Sequence, residues 1–225
     1  MAGSSHEAMI EEIEDEARAT ASYTGRASFS PRVIDAMRKV RREEFVPPEE
    51  EDLAYVNGPL PIGYGQTISQ PYIVALMTDL IDPEAEDVVL EIGTGSGYQA
   101  AVLAELVREV YTVELVPELA EQAASRLKRL GYENVHVRSG DGNAGWLAHA
   151  PYDGIVVTAG GARIPPALVE QLKPGSRMVI PVGVYGHSQE LTIVEKDETG
   201  DVSDRGILPV AFVPLIQDAD RRPDR

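Results

Sequence analysis

Residues Glu91-Ile92-Gly93-Thr94-Gly95-Ser96-Gly97 follow the apolar run Val88-Val89-Leu90. A buried strand running into closely spaced glycines, with a helical pattern from Tyr98 to Val107, brings bare backbone against a ligand. The chemistry expected there is binding of a nucleotide-like molecule. Two acidic positions fall in register with the turn. Glu114 ends the next apolar segment, about twenty residues on, where a carboxylate can accept hydrogen bonds from both ribose hydroxyls. Asp141-Gly142 follows the third segment, where an acid and an adjacent backbone N–H can meet an adenine edge. Each feature alone has a plainer reading: a glycine turn can be only a turn, and Glu114 a surface charge or a helix-terminus partner. Together, at the carboxyl ends of successive strands, they point to binding, because open α/β sheets seat ligands there.

The elements that must position these residues begin at Asp87. Strands are expected at Val88–Ile92, Val110–Glu114, Val135–Arg138, Gly154–Thr158 and Arg177–Pro181. Helices are expected between them at Tyr98–Val107, Pro117–Leu130, near Gly142–His149, and at Pro165–Leu172. This alternation predicts an α/β fold with a doubly wound, mostly parallel, Rossmann-like sheet. Strands Glu190–Glu195 and Ile207–Val213 have no helix between them and should form an antiparallel edge. Upstream, Ser5–Ala19 and the segment from Ser30-Pro31 read as helices. Asn57–Gln70 is rich in Pro and Gly yet too apolar to be disordered, so it reads as an ordered loop packed over something. Ser69-Gln70-Pro71 opens a helix to about Leu80. The expected organisation is an N-terminal helical extension and substrate loop (1–82), a ligand-binding domain (83–217) and a frayed tail (218–225).

Composition narrows the class. The chain has 225 residues, 43% of them hydrophobic, which suits one domain with an extension. No apolar run approaches the ~18–20 residues that span a bilayer. The polar, acidic stretch Met1–Asp15 does not read as a signal peptide, so a cytoplasmic protein with no membrane partner is expected. There are no cysteines, and His6, His136, His149 and His187 are scattered without metal-ligand spacing. The net charge of −17 argues against nucleic acid as a partner. Lysine occurs only at positions 39, 128, 173 and 196 among 20 basic residues. Such an acidic, lysine-poor balance resembles proteins of salt-loving organisms and predicts greater stability in molar KCl than in dilute buffer.

The glycine spacing separates two ligands. A dinucleotide fingerprint, G-x-G-x-x-G, needs glycine at position 98, which is Tyr98. The spacing G-x-G-x-G with an acid two residues before it resembles the S-adenosylmethionine (SAM) methyltransferases instead, with Glu91 reaching toward the ammonium of the methionine part. Amino-methylating nucleic-acid enzymes of that class carry an Asn- or Asp-Pro-Pro-Tyr loop after the fourth strand. Here the place reads Val157-Thr158-Ala159-Gly160-Gly161-Ala162, with Pro165-Pro166 beyond it, so base methylation is disfavoured.

The loop before the sheet carries a more specific likeness. Leu60-Pro61-Ile62-Gly63-Tyr64-Gly65-Gln66-Thr67-Ile68-Ser69-Gln70-Pro71-Tyr72 closely resembles the protein-L-isoaspartate O-methyltransferases, and the likeness runs over roughly residues 30–216. Small departures are Gly160-Gly161, where the family has alanine-type residues, and Asn57, where an acid is common. The resemblance implies methyl transfer from SAM to the α-carboxyl of L-isoaspartyl residues in damaged proteins, which starts repair through a succinimide. It implies that Ser69 orients the substrate carboxylate as the active-site serine, with Thr67 and Ile68 shaping the pocket. From its position alone, Ser69 could equally be a helix N-cap. Val213, Pro214 and Leu215 resemble the strand that holds the substrate backbone. Gln70, Pro71, Tyr72 and Ile73 are implied to border the cofactor, and Glu91, Gly93, Gly95, Glu114, Asp141 and Gly142 to bind it. Trp146 and Met77 read as core. The expected partners are isoaspartyl proteins and peptides, met by a monomer. The readings kept beside this one are a SAM enzyme methylating a small carboxylic acid, a SAM-binding module without turnover, and a nicotinamide dehydrogenase.

Overall fold

A computed structural model describes residues 5–216. Helix α1 (His6–Thr24) is capped at Ser5, whose hydroxyl accepts the Ala8 N–H at 3.2 Å, and ends at Gly25 with φ 70°. It buries Met9, Ile10, Ile13 and Ala17. Helix α2 (Pro31–Lys39) begins with proline in its first turn and buries Val33, Ile34, Ala36 and Met37. Single 3-10 turns follow at Arg42–Phe45 and Pro48–Leu53.

The segment read as a loop contains a hairpin, β1 (Leu60–Gly63) and β2 (Gln66–Ile68), turned by Tyr64 and Gly65 at positive φ. Strands this short, with Pro61 and Gly63 inside them, show too little alternation to be recognised from sequence. Helix α3 (Pro71–Leu80) is buried along its whole length, which its nearly continuous apolar sequence requires.

The sheet then builds through β3 (Val88–Ile92), α4 (Tyr98–Ala104), β4 (Glu109–Glu114), α5 (Pro117–Arg129), β5 (Val135–Ser139), β6 (Tyr152–Val157), α6 (Pro166–Gln171), β7 (Leu172–Gly183), β8 (Gln189–Lys196) and β9 (Val202–Val210). Its order is β5-β4-β3-β6-β7-β8-β9. Pairing is parallel from β5 to β7 and antiparallel for β8 and β9, as the alternation predicts. The chain winds outward on one side through β4 and on the other through β6. The switch point, where ligands of such sheets sit, is therefore above β3.

Two expectations change. The helix expected near Gly142–His149 is a pair of 3-10 turns, Gly142–Ala144 and Leu147–His149. The Gln171 side chain intervenes: its Oε1 accepts the Trp146 N–H and its Nε2 donates to the Ala144 carbonyl, each at 2.8 Å. It sits so close that a Cβ on Gly145 would lie 2.4 Å from it. The last strand runs over Val202–Val210, and residues 211–216 leave it, with Pro214 bridged to Gly160. The tail from Asp218 lies outside the described residues.

One apolar cluster joins Met9, Val33, Phe45 and Met77 of the N-terminal elements to Val89, Val110, Val156 and Ile193 on one sheet face. A second, around Leu90, Ile155 and Met178, fills the other face, with Trp146 packed at its margin. Among the described residues no helix is long and apolar enough to cross a membrane.

Candidate active site

The turn after β3 places Gly93, Gly95 and Gly97 at φ 94°, 51° and 90°. Side chains rarely adopt these angles, and a Cβ on Gly93 would lie 2.4 Å from Thr158 Oγ1. That hydroxyl donates to the Gly93 carbonyl at 2.6 Å, tying the turn to the end of β6. Glu114 Oε2 accepts the Gly95 N–H at 2.8 Å and Oε1 accepts the Val116 N–H at 2.9 Å. Two backbone donors thus hold the carboxylate rigid, and each oxygen retains a lone pair. Gly142, in the 3-10 turn after β5, lines the same space; a Cβ there would fall 2.4 Å from Ile92 Cγ2.

These groups line one slot, about 100 Å³ in volume, together with Ile92, Leu115, Val116, Thr158 and Leu215. Of the expected cofactor residues, Gly93, Gly95, Glu114 and Gly142 lie on its wall. Asp141 lies beside it: its Oδ1 accepts the Asn143 N–H at 2.8 Å and caps the 3-10 turn.

Glu91 departs from the expected contact with an ammonium group. Side chains alternate along a strand, so Ile92 faces the slot and Glu91 points away from it. The Glu91 side chain is wholly buried; Thr112 Oγ1 donates to its Oε2, while Oε1 has no partner. Thr94 Oγ1 lies 2.6 Å from Thr112 Oγ1, so the carboxyl braces the glycine turn from beneath. Burial pushes this carboxyl up to about 8 against the pull of the Thr112 bond, and the Glu114 charge pushes the same way.

A larger cleft of about 470 Å³ opens beside the slot, between α1, the start of α3 and residues 208–213. Gln70, Tyr72 and Ile73 line this cleft, not the slot, because the first turn of α3 faces α1 and β9; Pro71 is buried at the head of that helix. The Tyr72 hydroxyl meets Thr20 Oγ1 at 2.6 Å, and its N–H donates to Asn57 Oδ1 at 3.0 Å. Asn57 Nδ2 donates to Glu16 Oε2 at 2.8 Å, which gives this departure from the family pattern a definite job.

Ser69 lines the same cleft and also a small recess against Gly93, Gly95 and Thr158. The N-cap of α3 is Gln70, and no side chain caps the helix, so the Ser69 hydroxyl is not used for capping. Its carbonyl accepts Arg42 Nη2 at 3.1 Å. Arg42 is fully buried and also donates to the carbonyls of Ala54 at 2.6 Å and Gly58 at 2.9 Å. Desolvation lowers its guanidinium to about 10, leaving it charged at neutral pH. In Arg41-Arg42-Glu43-Glu44 this cation looks like surface charge, and sequence reading passed over it.

Residues 213–215 are held inward. The Val213 carbonyl accepts the Gly160 N–H at 2.7 Å and the Leu215 N–H donates to the Gly160 carbonyl at 2.8 Å. Gln189 clamps Phe212 through both amide atoms, where a Cβ on Gly160 would sit 2.3 Å from Gln189 Nε2. This close approach accounts for glycine at 160. Val213 lines the larger cleft as well as the slot, and Pro214 and Leu215 line the slot, so 213–215 forms the wall between the two.

Thr67, Thr158 and Val213 line both spaces. The slot offers a positive-φ turn, a carboxylate with two fixed oxygens and glycines without room for a Cβ. That donor and acceptor set fits the adenosyl cofactor implied by the glycine spacing.

Comparisons with known proteins identify the family. The family model described as Protein-L-isoaspartate(D-aspartate) O-methyltransferase (PCMT) matches residues 17–220. Protein-L-isoaspartate O-methyltransferase 2 of Syntrophobacter fumaroxidans is 61% identical over 213 residues, 95% of this chain and 86% of that protein. The Methanopyrus kandleri protein-L-isoaspartate O-methyltransferase is 56% identical over 191 residues, 83% of this chain and 84% of the relative. A solved protein-L-isoaspartate O-methyltransferase superposes with TM-score 0.78 at 27% identity, over 95% of this chain and 67% of that one. A Plasmodium falciparum structure, solved with S-adenosyl-L-homocysteine and described as a putative member of this family, shares the fold with TM-score 0.78 at 22% identity, over 94% and 98% of the two chains. With the family model matched over most of its length and relatives above half identity, the chain belongs to the protein-L-isoaspartate(D-aspartate) O-methyltransferase family.

Proposed function

We propose that the junction at Thr67, Thr158 and Val213 is where the two substrates of this SAM-dependent methyltransferase meet. The enzyme methylates the α-carboxyl of L-isoaspartyl residues in damaged proteins and so starts their repair through a succinimide. The observation that carries the site reading is the shared wall: a nucleotide-type slot and a larger cleft abut, and Ser69 lies beside their junction.

When bound, SAM supplies a methyl on a sulfonium; a carboxylate oxygen takes it as the S–CH₃ bond breaks, leaving S-adenosyl-L-homocysteine. The turn at Gly93–Gly95, the Glu114 carboxylate and Gly142 hold the cofactor, with Asp141 steadying Gly142. Gln70, Tyr72 and Ile73 shape the neighbouring wall on the substrate side, with Pro71 buried at the head of the same helix. The substrate carboxylate is already ionised at neutral pH, so no side chain has to remove a proton. Ser69 donates a hydrogen bond that orients it, while Thr67 and Ile68 narrow the pocket and exclude water. Val213, Pro214 and Leu215, next to residues 208–212 of the cleft wall, hold the backbone of an extended substrate. The size of the cleft, about 470 Å³, favours a peptide over a small carboxylic acid. The net charge of −17 favours protein over nucleic acid, and a cytoplasmic monomer without a membrane partner completes the reading.

The test is methyl transfer from radiolabelled SAM to two peptides that differ only in isoaspartate or aspartate at one position. Base-labile label on the isoaspartyl peptide alone is expected. Equal labelling of both, or of neither with SAM still bound, would overturn the reading.

A further inference from the structure

We propose that Glu16 of α1 is a specificity residue that favours isoaspartyl sites flanked by cationic side chains. The inference rests on the assignment of the larger cleft to the substrate. Glu16 is the one charged residue on the wall of that cleft among the described residues; every other lining side chain is neutral.

Its carboxylate is held in place. The amides of Asn57 and Gln70 both donate to Oε2, at 2.8 and 2.9 Å. One turn further on, Thr20 Oγ1 meets the Tyr72 hydroxyl at 2.6 Å, which docks this part of α1 on α3. No donor among the described residues reaches Oε1, so that oxygen is left to the cleft. Both amide partners are neutral, and hydrogen bonds from neutral donors leave the net charge in place. In a half-buried site this charge is screened less than one on open surface. The substrate α-carboxylate belongs near Ser69 and the junction with the slot. A neighbouring side chain of the same peptide then runs into the part of the cleft walled by α1. A lysine or arginine there is attracted by Glu16, and a glutamate or aspartate is repelled, so affinity sorts peptides by flanking charge.

The experiment uses the full chain and three isoaspartyl peptides of one length, carrying Lys, Gln or Glu at both positions flanking the isoaspartate. In wild type at low salt, kcat/KM should favour the Lys peptide over the Glu peptide by about fivefold or more, mainly through KM, the size expected for partly exposed charge pairs. About 1 M KCl should compress that ratio. Glu16→Gln should bring it close to unity, and Glu16→Asp, which keeps the charge, should retain a preference of the same sign. Equal kcat/KM for the three peptides in wild type, or an unchanged ratio in Glu16→Gln, would overturn the role of Glu16 while leaving the assigned activity standing. No base-labile label on any isoaspartyl peptide would instead overturn the activity on which the inference rests.

Discussion

Arg42 Nη2 donates to the carbonyl of Ser69 at 3.1 Å, across 27 residues of chain. The same buried guanidinium reaches the carbonyls of Ala54 and Gly58, so one cation pins the approach to the hairpin and the serine that follows it. Replacing it with an apolar side chain strands several carbonyls in a dry interior. Arg42→Met should therefore cost about 3 kcal/mol or more of stability and lower turnover with it. Arg42→Lys, with three donors but no planar fork, should fall between the two. Urea denaturation alongside single-substrate kinetics measures both; wild-type stability in Arg42→Met would refute the staple.

Ser69→Ala separates catalysis from folding. The hydroxyl caps no helix, so melting temperature should stay close to wild type. Turnover should fall about ten- to a hundredfold, the scale for losing one orienting hydrogen bond, while SAM affinity by calorimetry barely moves. Loss of SAM binding would place the serine on the wrong ligand.

Gly95→Val addresses the slot. The residue has φ 51°, and a Cβ would sit 3.3 Å from Ile62 Cδ1 of the overlying hairpin. A β-branched side chain there both strains the backbone and displaces Ile62. SAM binding should disappear in calorimetry, and tight binding by the folded variant would contradict the placement of cofactor over this turn.

Glu91 sets a pH dependence. Native Glu91 holds its proton up to about pH 8, whereas an unfolded glutamate releases it near 4.5. Between those values the native state binds more protons, so the Glu91 contribution to stability is fully present below about 4.5 and is lost as pH rises through about 8. Denaturation midpoints of wild type should decline across that window relative to Glu91→Gln, whose neutral amide cannot ionise. Parallel pH profiles for the two proteins would show that the buried carboxyl is not protonated.

Local chemistry explains which parts were legible in the sequence. Gly93, Gly95 and Glu114 could be read because a strand, a turn and the next strand end are close in sequence, and because glycine spacing constrains the backbone directly. The parallel sheet followed from alternating patterns, each contained within one element. The hairpin of Leu60–Ile68 and the paired 3-10 turns after Gly142 escaped, since one has too few residues for a period and the other depends on Gln171, an amide from a different helix.

The sequence by itself therefore determined the fold class, the glycine turn after β3 and, through its motif, the family and its reaction. Only the tertiary structure decided which residues share a wall. It moved Gln70, Tyr72 and Ile73 to the larger cleft, turned Glu91 beneath the slot, brought Thr158 onto the glycine turn, and tied Arg42 to Ser69 and Glu16 to Gln70. The reason is physical. Glu16 and Gln70 are separated by 54 residues, and whether such groups meet depends on how helices dock on a sheet to bury their apolar faces. No local spacing encodes that distance.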